Sequence, residues 1–127
     1  MSEIVLDTNV VIHFFRGEKS IQELLNPFPI WYLPVTVVGE LLFGAYNSTH
    51  VDKNLANYRS FFEQVIILSP DTEIADSYAR IRIELKKIGR PIPENDIWIA
   101  ATAQAKSLPL ATLDKHFSSI QNLELIR

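Results

Sequence analysis

Cysteine is absent from the 127 residues, which excludes disulfides and thiolate metal sites and makes the chain compatible with a reducing compartment. Long apolar runs are missing as well. The longest apolar region, residues 30–45, is broken by Pro34 and Glu40, short of the ~20 residues a membrane-crossing helix needs. The opening Met1–Asp7 has no basic segment leading into an apolar one, so neither export nor membrane spanning is expected, and the cytoplasm is the expected location. Glycine is scarce, with four residues scattered singly, so nothing resembles a Gly-rich phosphate loop. The three histidines, His13, His50 and His116, are too dispersed for a zinc spacing and are read as non-ligands. Positive charge is not in excess: 12 Lys and Arg face 15 Asp and Glu, for a net charge of −3. That balance excludes a chain that grips nucleic acid through a large, uniformly basic surface. An acidic chain can still act on phosphodiesters if its carboxylates hold divalent cations that face the phosphate.

What is present is a globular composition, 47% hydrophobic and 21% charged, enough for one buried core and too little for two ordinary domains. A single domain over residues 1–127 is expected. Residues 3–6 read as a buried strand that runs through the turn Asp7-Thr8-Asn9 into the apolar stretch 10–15. Residues 21–25 suit a short helix, and 31–33 a short strand that Pro34 ends. Helical spacing of Val37, Leu41, Gly44 and Ala45 predicts a helix over 35–46 with Glu40 bordering its apolar stripe. Residues 51–64 predict a helix with Leu55, Tyr58 and Phe62 inward, followed by a β-branched strand over 65–68. Asp71 is placed to cap a helix carrying Ile74, Tyr78, Ile81, Leu85 and Ile88, closed by Gly89. An alanine-rich helix over 95–106 and strands at 110–113 and 124–126 complete the chain. Strands alternating with helices predict an α/β domain with a mostly parallel central sheet covered on both faces.

Four acids occupy suggestive places in that plan. Asp7 and Asp114 each follow a strand, where an open parallel sheet presents groups to ligand. Asp96 opens one helix and Glu40 rides inside another. Gathered in one pocket, they would repel by roughly 4 kcal/mol per close pair at an effective dielectric of 20 unless a cation compensates. Hard divalent cations suit carboxylate oxygen and support phosphodiester hydrolysis. Taken singly, each acid has a structural alternative. Asp96 reads first as a helix cap, and Glu40, if buried, as one half of an ion pair with an arginine.

The segment Ile4-Val5-Leu6-Asp7-Thr8-Asn9 resembles the opening strand and first acidic motif of PIN domains. Three further segments match that family in order: Thr36-Val37-Val38-Gly39-Glu40-Leu41 with Gly44, then residues 95–103 beginning Asn95-Asp96-Ile97-Trp98, then Ala111-Thr112-Leu113-Asp114-Lys115-His116-Phe117. The resemblance implies a three-layer α/β/α fold with about five strands. It implies that Asp7, Glu40, Asp96 and Asp114 bind one or two Mg²⁺ or Mn²⁺ ions, with Asn9 and Thr112 as polar supports. It further implies a metal-dependent endoribonuclease of the VapC toxin type, with RNA as substrate, a small VapB-like antitoxin as partner, and a homodimeric state.

Other features are assigned blander roles. Glu94 is read as a solvated carboxylate near a helix start. Arg80, Arg82, Lys86, Lys87 and Arg90 form a solvated helix face that could also follow an RNA path, and Trp31, Tyr46 and Trp98 are read as core or dimer contacts. A haloacid-dehalogenase-like magnesium phosphatase is the enzymatic rival, but its chemistry needs an acid two residues after the first aspartate, where this chain has Asn9. A receiver domain lacks its acidic pair here, and a non-catalytic module whose acidic pocket accepts a partner's arginine stays open.

Overall fold

The structure is a computed structural model that describes residues 2–127. Strand β1 (Glu3–Leu6) lies at the centre of a five-stranded, all-parallel sheet with β2 (Ile30–Pro34), β3 (Ile66–Leu68), β4 (Leu110–Ala111) and β5 (Leu125–Ile126), in the order β3-β2-β1-β4-β5. Helices α1 (Thr8–Phe15), α2 (Lys19–Leu25), α3 (Val35–Tyr46), α4 (Val51–Phe62), α5 (Thr72–Lys87) and α6 (Glu94–Ala105) connect the strands, with a 3-10 turn at Lys115–Ser119. A central parallel strand is covered on both faces, so it cannot alternate polar and apolar residues. Ile4, Val5 and Leu6 are accordingly all fully buried.

The chain builds β1, β2 and β3 outward in one direction, then returns through α5 and α6 to lay β4 on the other side of β1. The strand order therefore reverses between β1 and β4, and loops leaving their carboxyl ends diverge to open a crevice. Register fixes what stands there: Leu6 pairs with Ala111, and the Asp7 amide donates to the Ala111 carbonyl at 3.0 Å. Asp7 and Thr112 thus emerge side by side from the sheet.

Local signals account for most elements. Asp71 caps α5, accepting the Ile74 amide at 2.8 Å, and Gly89 at φ +67° follows the helix's end. Along α5 the buried stripe is Ile74, Ser77, Ile81 and Leu85; Tyr78 is half-buried and Ile88 exposed beyond the last turn. Helix α6 packs chiefly on α5 and buries Ala100, Ala101, Thr102 and Ala103 in succession, which small side chains permit on several faces at once.

Several expectations need correction. Thr8 and Asn9 form the first turn of α1 instead of a preceding turn, because Asp7 caps that helix. In α3 the buried positions are Val37, Leu41 and Ala45, whereas Gly44 is exposed. In α4 Phe61, not Phe62, is the deeply buried aromatic, since it meets Phe15 and Trp31 at ring-centroid distances of 5.2 and 6.1 Å. Strand β4 stops at Ala111, two residues early, as the chain turns toward Asp114. Among the described residues, no helix is long and apolar enough to cross a membrane.

Candidate active site

Asp7 is the deepest of the four acids, only 4% exposed, and both of its carboxylate oxygens are held. Oδ1 accepts the Thr8 amide at 2.8 Å, and Oδ2 accepts the Thr112 hydroxyl at 2.8 Å. The Thr8 hydroxyl donates in turn to Glu40 Oε1 at 2.7 Å, tying the first turn of α1 to the middle of α3. On the other side, the Thr112 hydroxyl accepts the Asp114 amide at 2.9 Å. Asp114 caps the 3-10 turn through the His116 amide, and His116 Nδ1 lies 3.1 Å from Asp114 Oδ1 and 3.3 Å from Asp96 Oδ2. One continuous chain of contacts therefore runs Glu40, Thr8, Asp7, Thr112, Asp114, His116, Asp96. It joins α3, α1, the ends of β1 and β4, the 3-10 turn and α6 at the point where strand order reverses.

Of the expected supports, Thr112 is fully buried within this chain, whereas Asn9 is exposed and takes no part in it. Thr8 supplies the link from α1 and was not anticipated; its only sequence signal is a hydroxyl directly after the strand-ending acid. The dispersal of the three histidines makes His116 a non-ligand in the sequence reading, yet the structure sets its ring beside two carboxylates. The next residue, Phe117, is fully buried, and that anchoring holds the neighbouring imidazole in place. The capping reading of Asp96 fails as well: Pro93 occupies the N-cap of α6, and Asp96, third in the helix, turns toward His116.

Electrostatics follow from burial and crowding. Burial pushes the Asp7 carboxyl up from 3.8 to about 6, with the charges of Asp96 and Glu40 adding to the rise and the Thr112 and Thr8 hydrogen bonds opposing it. Asp96 is also raised, first by burial and then by Asp114 and Glu40, against the contact with His116. Among the described residues no Lys or Arg forms an ion pair with any of the four acids, so the arginine partner considered for Glu40 is not found within the chain. One ligand atom each from Asp96, Asp114 and His116 lies within 4.8 Å of the others, and the charges of Asp7 and Glu40 are felt beside them. Such a set, short of positive charge, fits a divalent cation.

Beside the acids lies a cleft of about 600 Å³ lined by Thr8, Thr36, Gly39, Glu40, Phe43 and Asn95. Phe43 is 71% exposed on its wall. Glu94 points elsewhere: it accepts the Tyr78 hydroxyl and lies 3.9 Å from Arg82, bracing α5 against the start of α6. Trp98 stacks on Tyr78 at 4.0 Å, consistent with a packing role, and the basic residues of α5 form an exposed face on which Arg80 pairs with Asp76.

The PIN domain family model matches residues 4–123. Ribonuclease VapC1 of Haemophilus influenzae is 31% identical over 125 residues, covering 94% of this chain and 93% of that protein. Among solved structures, DNA-bound VapBC from Salmonella typhimurium superimposes with a TM-score of 0.91 at 28% identity, covering 98% of this chain and 97% of the other. VapBC-5 of Mycobacterium tuberculosis, a member of the VapBC family of toxin-antitoxin systems, gives a TM-score of 0.83 at 29% identity, covering 100% and 99%. With the family model spanning nearly its whole length and relatives matched end to end, this chain belongs to the PIN-domain family, in its VapC branch.

Proposed function

We propose that the chain is a Mg²⁺- or Mn²⁺-dependent endoribonuclease that hydrolyses RNA phosphodiester bonds at Asp7, Glu40, Asp96 and Asp114. In this reading it is the toxin of a VapBC-type pair, restrained by a small VapB-like antitoxin and acting as a homodimer. The observation that carries the proposal is the unbroken chain of contacts that gathers four carboxylates at the sheet's switch point, with no Lys or Arg among the described residues in an ion pair with any of them.

Each residue's part follows from how it is held. The Thr8 amide and the Thr112 hydroxyl each hold one oxygen of Asp7, which fixes the orientation of the carboxylate, the preorganisation that catalytic electrostatics requires. Glu40 spends Oε1 on Thr8 and keeps its second oxygen for a cation or for orienting a water beside the cleft. Asp96 and Asp114 stand less buried than Asp7, at the outer rim where an incoming phosphate would arrive. A bound divalent cation supplies Lewis acidity, lowering the pKa of water and offsetting charge on the phosphodiester. The cleft offers room for an unpaired strand, with Phe43 available to stack on a base.

The test is cleavage of a mixed structured RNA pool by purified, antitoxin-free protein, with Mg²⁺, Mn²⁺ or EDTA, beside Asp96→Asn. Cutting that needs metal and disappears in the variant is expected. Cutting unaffected by EDTA and by the substitution would refute the assignment of these acids. No cutting at any metal concentration would favour an acidic pocket that only receives a partner's arginine.

A further inference from the structure

We propose that His116 supplies an imidazole nitrogen as a metal ligand beside Asp96 and Asp114, and that this nitrogen biases the site toward Mn²⁺ over Mg²⁺. The inference rests on the metal dependence proposed above and assigns this chain a nitrogen donor in addition to its acids.

Geometry carries the argument. His116 Nδ1 faces Asp114 Oδ1 at 3.1 Å and Asp96 Oδ2 at 3.3 Å, and a set of one ligand atom from each residue lies within 4.8 Å of one another. A ring nitrogen has a single in-plane valence: it carries one hydrogen or one lone pair. The ring nitrogen is placed to hydrogen-bond Asp96 Oδ2, so a hydrogen there does not serve the nearer Asp114 Oδ1, and a lone pair there is repelled by both anionic oxygens. A cation among the three atoms satisfies all of them together. The spacings of 3.1 and 3.3 Å leave these atoms near enough for one ion to be held by all three residues.

The imidazole is also held in place. Its own amide is fixed to Asp114 Oδ1 at 2.9 Å, and the next residue, Phe117, is fully buried, so the first turn of the 3-10 helix cannot swing away without unpacking the core. The side chain is nonetheless 51% exposed, open to an ion from solvent. Ligand chemistry then sets the preference. Magnesium favours oxygen and water and gives up its waters reluctantly, whereas a first-row transition ion accepts an imidazole nitrogen more readily, so a nitrogen in place of a water shifts the balance between these two ions toward manganese.

The deciding experiment uses metal-free protein, wild type and His116→Asn, with both folds checked by thermal melting. Each is titrated with MnCl₂ and MgCl₂ by calorimetry, and the Mn²⁺-loaded samples are examined by electron spin-echo spectroscopy for ¹⁴N coupling. Expected are a nitrogen coupling in wild type that the substitution removes, and a loss of Mn²⁺ affinity of about tenfold or more, with Mg²⁺ affinity changed far less. Mn²⁺ bound without nitrogen coupling, a coupling that survives in His116→Asn, or equal losses for both ions would overturn the inference while leaving the oxygen-ligated site standing. Wild type that binds neither ion would overturn the metal-dependent reading along with it.

Discussion

At Asp7 two demands conflict. The residue caps α1 and is buried at the sheet end, yet burial and the neighbouring Asp96 and Glu40 charges penalise its ionised form. Its folded pKa of about 6 lies above the ordinary 3.8, so in metal-free protein the native state holds more protons than the unfolded chain between about pH 4 and 6. Stability therefore falls as pH rises through that window, by about 3 kcal/mol once Asp7 is fully ionised. Asn caps a helix as well as Asp and carries no charge. Metal-free Asp7→Asn should then melt higher than wild type at pH 7, with the difference shrinking toward pH 4, while RNA cleavage is abolished. Melting curves in EDTA at the two pH values check this. A variant destabilised equally at both would show that the charge carries no penalty.

Among the elements, α5 and α6 show how backbone capping decides which acids are free. Pro93 begins α6 without using a side chain, which leaves Asp96 available to the cluster. Asp71 has the opposite duty: it caps α5 and pairs with Lys106 at 2.8 Å, and its carboxyl is held below the usual range first by the Lys106 contact and then by the Ile74 amide it caps. Replacing Asp71 by Ala should cost about 1 kcal/mol by chemical denaturation through the lost cap, and leave cleavage rate unchanged, because α5 contributes none of the four acids. A drop in cleavage at unchanged stability would show that α5 reaches the site.

Across the whole molecule, a net charge of −3 coexists with a concentrated acidic end, so a divalent ion that binds only the folded state should stabilise it by mass action. At a hundredfold excess over Kd the gain is about 2.7 kcal/mol, a rise in Tm on the order of 10 °C for a chain of this size. Scanning calorimetry with and without Mn²⁺ should show that rise, its reversal by EDTA and its reduction in Asp96→Asn. An equal rise in the variant would place the ion elsewhere.

By itself the sequence determined what local physics encodes: the buried strand ahead of Asp7, the cap at Asp71, the apolar period of α5 and the alternation that makes an α/β sheet. These depend on neighbours within a few residues, where periodicity and capping act. The tertiary structure decided which side chains meet. Thr112 reaches Asp7 across 105 positions only because β4 is laid parallel beside β1 where the strand order reverses. Thr8 links to Glu40, and His116 to Asp96, through contacts between separate elements that no spacing announces. The exchange of Phe61 for Phe62 and the exposure of Gly44 have the same origin, since a helix's periodicity sets the width of its apolar face and its neighbours set which edge is buried.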